Sequence, residues 1–441
     1  MTEIKPYYNK DIVTEQVKKA NEKQSPLYLI FIGTKPCYIK LASLIHGMNE
    51  YDVPFLAIDV GQHYDKNLTS AQHELGFSSH ISVYLKVQST LTARTPLLAN
   101  RINWLYELLN EFGLKDQAIP VVSGDTSTAG LVPVFWYMQE GGTSVHVEAG
   151  LRSYRPVLDW NGNVEDVLAM QNNCAWKMVK DAPFPEGFDT RIASVGCQLL
   201  FAPEHVNRQN LVSEGYDEST IVLSGSLSSD AIDKIKSVKP EKSVFEEYPF
   251  LNEGRWLRVD FHRRENMKPA EMKILLEGLI SYMEEGGEVV FVMTNAAKAA
   301  LDQYGFENLF DQAVRQGMQV TPLWPEYSQV IEFINSEKCI GIYTDSGGLQ
   351  EESHVLGVRC ATYRWNTDRP ETINFSTTNV LVPPVSAEFI KKSLQLIFHE
   401  QKILDIENGQ KLYGDKVGYN IASYLKDYKP VSPVMGNVLN Y

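Results

Sequence analysis

Apolar residues in this chain fall into short blocks separated by longer stretches with helical spacing. LYLIFIG (27–33), VPFLAID (53–59), IPVVS (119–123), SVHVE (144–148) and QLLFA (198–202) are the short blocks of the first half. Each has the length of a buried strand, and the first ends in glycine. Helical stretches lie between them, around 97–112 and 127–139. Past residue 250 the rhythm restarts, with strand-like blocks near 256–261, 288–293, 339–343 and 359–364. Between the first two of these, Met272, Leu275, Leu276, Leu279, Ile280 and Met283 form the stripe of an amphipathic helix. Such alternation predicts parallel sheets covered on both faces. The chain therefore reads as α/β, with two Rossmann-like, doubly wound domains facing a central cleft. Each domain would bind ligand at the carboxyl ends of its strands.

Punctuation sets the domain boundaries. Residues 1–25 read as a polar leader and 26–230 as the N-terminal domain. The stretch around 226–250 is more polar and carries Pro240 and Pro249, so 231–250 is read as a linker. Residues 251–415 make the second domain, and 416–441 a C-terminal helix and tail. A length of 441 residues fits this division, being too great for one ordinary core.

Charge and cysteine usage narrow the function classes. A formal net charge of -14 argues against nucleic acid or an anionic membrane as partner, since both need a basic surface. The N-terminus lacks the apolar core of a signal peptide, and no apolar run approaches the roughly 20 residues that span a bilayer. Cys37, Cys174, Cys197, Cys339 and Cys360 are dispersed without C-x-x-C spacing, which suggests neither a zinc site nor a disulfide framework. A cytoplasmic protein is expected. Neither a G-x-G-x-x-G fingerprint nor a Walker A motif is present, so no cofactor and no metal are expected.

Candidate chemistry collects where strand-like blocks end. TDSGGLQEE (344–352) joins a strand, a glycine pair and a helix start, an arrangement that presents free amide N–H groups to an anion. Ser346, Gly347 and Gly348 could hold phosphate, and Glu352, one turn on, could accept from a ribose hydroxyl. The alternative is a capped helix, with Asp345 or Ser346 as N-cap. HVEAGLRS (146–153) gathers His146, Glu148 and Arg152 at a strand end. SGDTST (123–128) places Asp125 after a strand, as an acid near a ligand or as an N-cap. DFHRREN (260–266) puts His262 beside Arg263 and Arg264, a setting that a phosphate partner would explain. GTKPCYIK (33–40) adds a glycine turn with Lys35 and Lys40 as candidate cations.

In order along residues 27 to 425, GTKPCYIK, GQHYDKNL (61–68), SGDTST, HVEAGLRS, PEG (185–187), HRREN and TDSGGLQEE resemble the UDP-N-acetylglucosamine 2-epimerase family. NTDRPE (366–371) follows where that family has Thr-Glu-Arg-Pro-Glu. The resemblance implies a GT-B-like fold, with UDP held mainly by the second domain and no cofactor. It implies that UDP leaves C1 as the C2 proton is abstracted, giving a 2-acetamidoglucal to which UDP re-adds after the proton returns on the opposite face. Carboxylates are needed on both faces of the sugar, and Asp125, Glu148 and Glu186 match the family's acids. His262 matches a histidine on the leaving diphosphate. Ser346 and Gly347 match phosphate contacts, Glu352 the ribose contact. Lys35, Lys40, Arg152 and Gly348 complete the expected UDP-sugar site, and Gln62 with His63 match an activator site. A UDP-sugar is the implied partner, and a homodimer is compatible with the resemblance.

Several positions depart from the family. Lys35 replaces an arginine and loses its bidentate fork. Tyr64 replaces an arginine in the activator turn, Thr190 an arginine after Glu186, and Thr294 a histidine. Arg191 stands next to Thr190 as a substitute. The stretch 153–184 is a long insertion between the second and third acids, read as part of the first domain. A helix is expected over 164–179 within it, and Trp160 or Trp176 could cover the sugar ring. The alternative is a surface insertion packed on the first domain. Interconversion of UDP-N-acetylglucosamine and UDP-N-acetylmannosamine is the favoured activity. A hydrolysing epimerase releasing N-acetylmannosamine and UDP, and a UDP-sugar binder without turnover, are the alternatives.

Overall fold

A computed structural model describes residues 5–61, 73–88, 91–114, 116–139, 142–180 and 185–430. The chain divides into two compact units. The first comprises Met1–Arg152, Lys180–Ala231 and Tyr413–Tyr441, the second Ser153–Val179 and Ile232–Leu412.

In the first unit, β1 (Tyr7–Tyr8), β2 (Leu27–Ile32), β3 (Phe55–Asp59), β4 (Ile81–Tyr84), β5 (Ala118–Ser123) and β6 (Val145–Val147) come first. After two strands of the other unit, β7 (Ser153–Pro156) and β8 (Trp176–Val179), come β9 (Leu199–Ala202) and β10 (Ile221–Leu223). The sheet order is β1-β4-β3-β2-β5-β6-β9-β10, parallel apart from the β1–β4 pairing. From β2 the chain winds outward through β3 and β4, then crosses to the other side of β2 as β5. The switch point therefore lies between β2 and β5, where a doubly wound sheet binds its ligand. All six β2 residues are buried, as a central strand covered on both faces requires.

From residue 5 onward the stretch expected as a polar leader is structured. Asn9 caps the helix Lys10–Lys23 by accepting from the Asp11 and Ile12 amides, and the helix buries Val13, Val17 and Ala20. The expected C-terminal helix, Val417–Asp427, returns to this unit and lies on the helix Lys35–Glu50. Contact there is backbone-close: a Cβ on Gly418 would lie 2.4 Å from the Leu44 nitrogen. Tyr28 fixes the helix end by donating its hydroxyl to the Leu425 carbonyl at 2.7 Å.

In the second unit, β11 (Trp256–Asp260), β12 (Val289–Met293), β13 (Gln319–Pro322), β14 (Cys339–Thr344), β15 (Cys360–Thr362) and β16 (Asn379–Leu381) form a parallel sheet in the order β13-β12-β11-β14-β15-β16. Its switch point lies between β11 and β14. The predicted stripe, Met272 to Met283, is buried in this unit's core on the helix Pro269–Glu284. The stretch expected as a linker, 231–250, is packed rather than free. Val244, in a short helix Val244–Glu247, is fully buried with Leu251 in a second apolar cluster.

The insertion also differs from expectation. Ser153–Val179 belongs to the second unit, where β7 and β8 form an antiparallel hairpin. The expected helix over 164–179 spans only Val164–Ala169, with Asn163 as its N-cap. It ends because the Gln171 side chain is drawn into two bonds with the Leu381 backbone, donating to its carbonyl at 2.9 Å and accepting from its N–H at 2.8 Å. That amide occupies the open edge of β16 as another strand would.

Candidate functional site

The first sheet presents its acids at the ends of β5 and β6. Glu148, directly after β6, is 3% exposed and adopts φ 63, a left-handed conformation that costs a non-glycine residue on the order of 1 kcal/mol or more. Contacts hold it there. Its Oε1 lies 2.5 Å from Lys40 Nζ, and its Oε2 accepts from Ser123 Oγ at 3.1 Å. Gly124 (φ 74) lets the preceding loop approach, since a Cβ there would lie 3.2 Å from Glu148 Oε2. Lys40 thus serves the carboxylate, and Lys35 is half-buried in the first turn of the same helix.

Asp125 is not the helix cap. Thr126 caps Ser127–Met138 by accepting from the Ala129 amide at 3.2 Å, which leaves the Asp125 carboxylate for other work. Glu186 opens the helix Glu186–Val195, and three residues on stands an acid that the sequence reading passed over, Asp189. Asp189 is buried and accepts from Ser127 Oγ at 3.0 Å. Burial pushes its carboxyl up to about 6; the Ser127 bond opposes this, and the negative charges of Asp125 and Glu186 reinforce it. These acids therefore sense one another. The signal available in the sequence was helical i,i+3 spacing from Glu186.

Other members of the expected set prove to be braces. His146 is buried, and burial lowers its pKa to about 4. Its Nε2–H donates to the Gly124 carbonyl at 2.8 Å, so Nδ1 is left to accept from Ser194. Arg152, expected to bind substrate, has a side chain with no exposure. It forks onto Glu214 at 2.7 and 2.5 Å and donates to the Leu151 carbonyl at 2.7 Å. Arg191 lies on the same glutamate, 3.9 Å away, and donates to the Gly187 carbonyl at 2.8 Å. Gln62 and His63 lie outside the described residues.

The second sheet brings His262 and the TDSGG segment together at the ends of β11 and β14. The fully buried Asp345 carboxylate accepts from the His262 and Arg263 amides at 3.1 and 3.0 Å and from Asn266 Nδ2 at 3.2 Å. His262 Nδ1 is 3.1 Å from the same carboxylate, with its side chain half exposed. Burial alone would push Asp345 up and His262 down. Their mutual bond outweighs burial and shifts both the other way.

Ser346 is the N-cap of the helix Gly347–Leu356, accepting from the Leu349 amide at 3.3 Å. Capping and anion binding are compatible here, because a helix start has several N–H groups without intrahelical partners. The two glycines differ in purpose. A Cβ on Gly347 would come 2.8 Å from Asp368 Oδ2, whereas one on Gly348 would meet nothing nearer than Ser346 Oγ at 3.8 Å. Glu352 Oε1 stands 3.9 Å from that same point, so Gly348 lies beside the Glu352 carboxylate with room at its Cα for ordinary contact. Behind them runs a buried chain of ion pairs, Arg364–Asp368–Arg369–Glu351. Burial would raise Asp368, but its two guanidinium neighbours hold it well below the usual carboxylate range. Thr294, at the family's histidine position, caps the helix Asn295–Tyr304 and donates to the Phe261 carbonyl.

The tryptophans of the insertion have partners within their own unit. Trp160 packs edge-on against Trp365 at 5.6 Å and Phe389 at 6.1 Å, and Trp176 Nε1 donates to the Gln171 carbonyl. Both rings are thus anchored within the second unit. Among the described residues, no helix is long and apolar enough to cross a membrane, and no group of His, Cys, Asp and Glu is gathered as a metal would require.

A family model described as UDP-N-acetylglucosamine 2-epimerase matches residues 179–426. The UDP-N-acetylglucosamine 2-epimerase of Methanocaldococcus jannaschii is 28% identical over 371 residues, 82% of this chain and 90% of its own length. A relative from Thermotoga maritima is 30% identical over 364 residues, 78% of this chain and 82% of its own. The crystal structure of the Methanocaldococcus jannaschii enzyme in complex with UDP-GlcNAc and UDP superposes with a TM-score of 0.70 at 25% identity, covering 91% of this chain and 99% of that one. The Neisseria meningitidis enzyme bound to UDP-GlcNAc shares the fold, with a TM-score of 0.69 at 23% identity over 91% of this chain and 100% of that one.

Proposed function

Since the chain belongs to the UDP-N-acetylglucosamine 2-epimerase family, we propose that it interconverts UDP-N-acetylglucosamine and UDP-N-acetylmannosamine, or a closely related UDP-2-acetamido sugar. One observation carries the reading. In each sheet family-matching residues stand just past the carboxyl ends of strands at or next to the switch point, the region where doubly wound sheets bind ligands. These are Asp125 after β5 and Glu148 after β6 in the first, His262 after β11 and Ser346 after β14 in the second.

The division of labour follows from the residue types. The second unit grips the nucleotide: Ser346, Gly347 and Gly348 face the diphosphate with helix-start amides, and Glu352 accepts from the ribose. His262, held by Asp345, donates to the diphosphate as the C1–O bond breaks and its electrons leave with UDP. The first unit supplies the proton chemistry. A carboxylate takes the C2 proton, the C–H electrons form the C1=C2 double bond of the 2-acetamidoglucal, and UDP departs. A second acid then returns a proton to the opposite face of C2, and a UDP oxygen re-forms the bond to C1. Asp125, Glu148 and Glu186 fill these acid and base roles, with Lys40 and Ser123 fixing the Glu148 carboxylate.

Incubation with UDP-N-acetylglucosamine in heavy water, followed by proton NMR, tests the reading. Deuterium at C2 in intact UDP-sugars of both configurations is expected. Free N-acetylmannosamine with UDP would instead mean that water adds to the glucal, and binding without exchange would reject catalysis. A homodimer and a cytoplasmic location belong to the same proposal, checked by sedimentation and cell fractionation.

A further inference from the structure

The reaction as proposed gives Ser153–Val179 no task, yet this segment is wired into the nucleotide-binding unit by buried polar contacts. Tyr154 and Thr367 exchange two backbone hydrogen bonds of 2.8 Å each, an antiparallel bridge outside the sheets. Thr367 Oγ1 donates to Gln350 Oε1 at 2.6 Å, and Gln350 Nε2 donates to the Ser346 carbonyl at 3.2 Å. Thr367 and Gln350 are both fully buried. A second route reaches the same glutamine. Gln171 brackets the Leu381 backbone in β16, and Asn379 in that strand donates to Gln350 Oε1 at 3.1 Å. Tyr154 near the start of the segment and Gln171 within it thus lead to one side chain, and that side chain holds the residue before the glycine pair.

A helix start made of Gly347 and Gly348 needs such support. Glycines have no side chain to pack and the widest backbone freedom, while an anion cradle works only if its N–H groups stay within a few tenths of an ångström of their working positions. A fully satisfied buried network supplies that rigidity, because the low local dielectric penalises any opened bond.

We propose that Ser153–Val179 is a positioning element for the phosphate-binding start of the helix Gly347–Leu356, acting from the Tyr154 backbone through Thr367 and Gln350 to Ser346. The proposal rests on the reading that this helix start holds the UDP diphosphate. Tyr154, Thr367, Gln350 and Gln171 are positioning residues and contact no substrate.

UDP titration by calorimetry on the full chain, with melting temperatures in parallel, tests it. Thr367→Val keeps the shape and removes both the bond to Gln350 and the one that Thr367 Oγ1 accepts from the Arg369 amide at 2.9 Å. It should weaken UDP binding about 5- to 30-fold, the scale of buried hydrogen bonds lost behind the helix start. Thr367→Ser retains the hydroxyl and should bind UDP within about 2-fold of the native chain. Tyr154→Pro, on the segment itself, removes the N–H that faces Thr367 rather than β8 and should reproduce the loss. Gln171→Leu takes its place if that variant does not fold. Native UDP affinity in Thr367→Val together with the segment variant would overturn the proposal. So would a loss of affinity shared by Thr367→Ser and matched by a fall in melting temperature. The readout does not depend on turnover: a chain that binds UDP without epimerising sinks the proposed function and leaves this inference standing.

Discussion

At the end of β6, Glu148 is buried in a left-handed backbone conformation, and Asp189 nearby is a buried carboxyl pushed up to about 6. At the end of β14, Asp345 is buried more deeply still, yet it accepts from two backbone amides, an asparagine and a histidine. The winding is the same in both sheets, and both put acids past strand ends at or next to the switch point. Glu148 is held in a strained backbone conformation by Lys40 and Ser123, and burial favours the protonated form of Asp189, whereas Asp345 is saturated with donors. Carboxyls that must gain and lose protons need surroundings in which neither form is overwhelmingly favoured, whereas a carboxylate that ties two loops together needs its charge fixed. Under the proposed function the first unit would do the acid–base work and the second would supply the rigid grip.

The largest expected effect breaks the comparison at its catalytic end. Glu148→Gln preserves shape and removes the ionisable group, and kcat should fall at least about 100-fold, the usual scale for a positioned acid or base. UDP affinity, assigned to the other unit, should stay near native in calorimetry. Near-native turnover, or a comparable loss of UDP binding, would mean that the two units do not divide the labour in this way.

A second, smaller effect concerns stability. The folded-state pKa of Asp189, about 6, lies above the ordinary aspartate value of 3.8. The fold thus favours the protonated form, and the stability associated with it is present below pH 3.8 and lost as pH rises through 6. Asp189→Asn cannot ionise and can still accept from Ser127. It should therefore be more stable than the native chain at pH 7.5, by roughly 1–3 kcal/mol, and no more stable at pH 4. Thermal melts at the two pH values check the sign. An equal effect at both would show that ionisation of Asp189 is not the cause.

How much of this was legible in the sequence depends on which force specifies each feature. Central strands such as β2 and β14 announce themselves because burial on both faces demands an unbroken apolar run. The helix Lys10–Lys23 did not, since it buries only Val13, Val17 and Ala20 among charged neighbours. The insertion was placed on the wrong unit because its anchors, the Tyr154 backbone and the Gln171 amide, leave no hydrophobic pattern to read. Motif order located Glu148, His262 and Ser346 correctly at strand ends. It could not tell that Arg152 turns inward to Glu214, because a substrate arginine and a structural one look alike until their partner, 62 positions away, is seen. Asp189 was hidden by a related ambiguity, as an acid in the first turn of a helix ordinarily serves the helix dipole.

The smallest effect sharpens the comparison at its rigid end, in the pair His262–Asp345. His262 is raised above the ordinary histidine value of 6.5, so the stability it contributes is fully present below that pH and declines as pH rises through the folded value. Asp345 is lowered from 3.8, so its share is present above that pH and declines as pH falls through its own folded value. The two windows overlap between about pH 4 and 6.5, where the pair contributes most. His262→Gln keeps a donor towards Asp345 but cannot carry charge. It should lower stability more at pH 6 than at pH 8.5. Because the histidine side chain is half exposed, solvent screening should keep the difference well under about 1 kcal/mol. Denaturant melts at the two pH values would resolve the trend. A penalty that grows with pH would mean that the contact works only as a neutral hydrogen bond, and the grip of the second unit would then owe nothing to the histidine's charge.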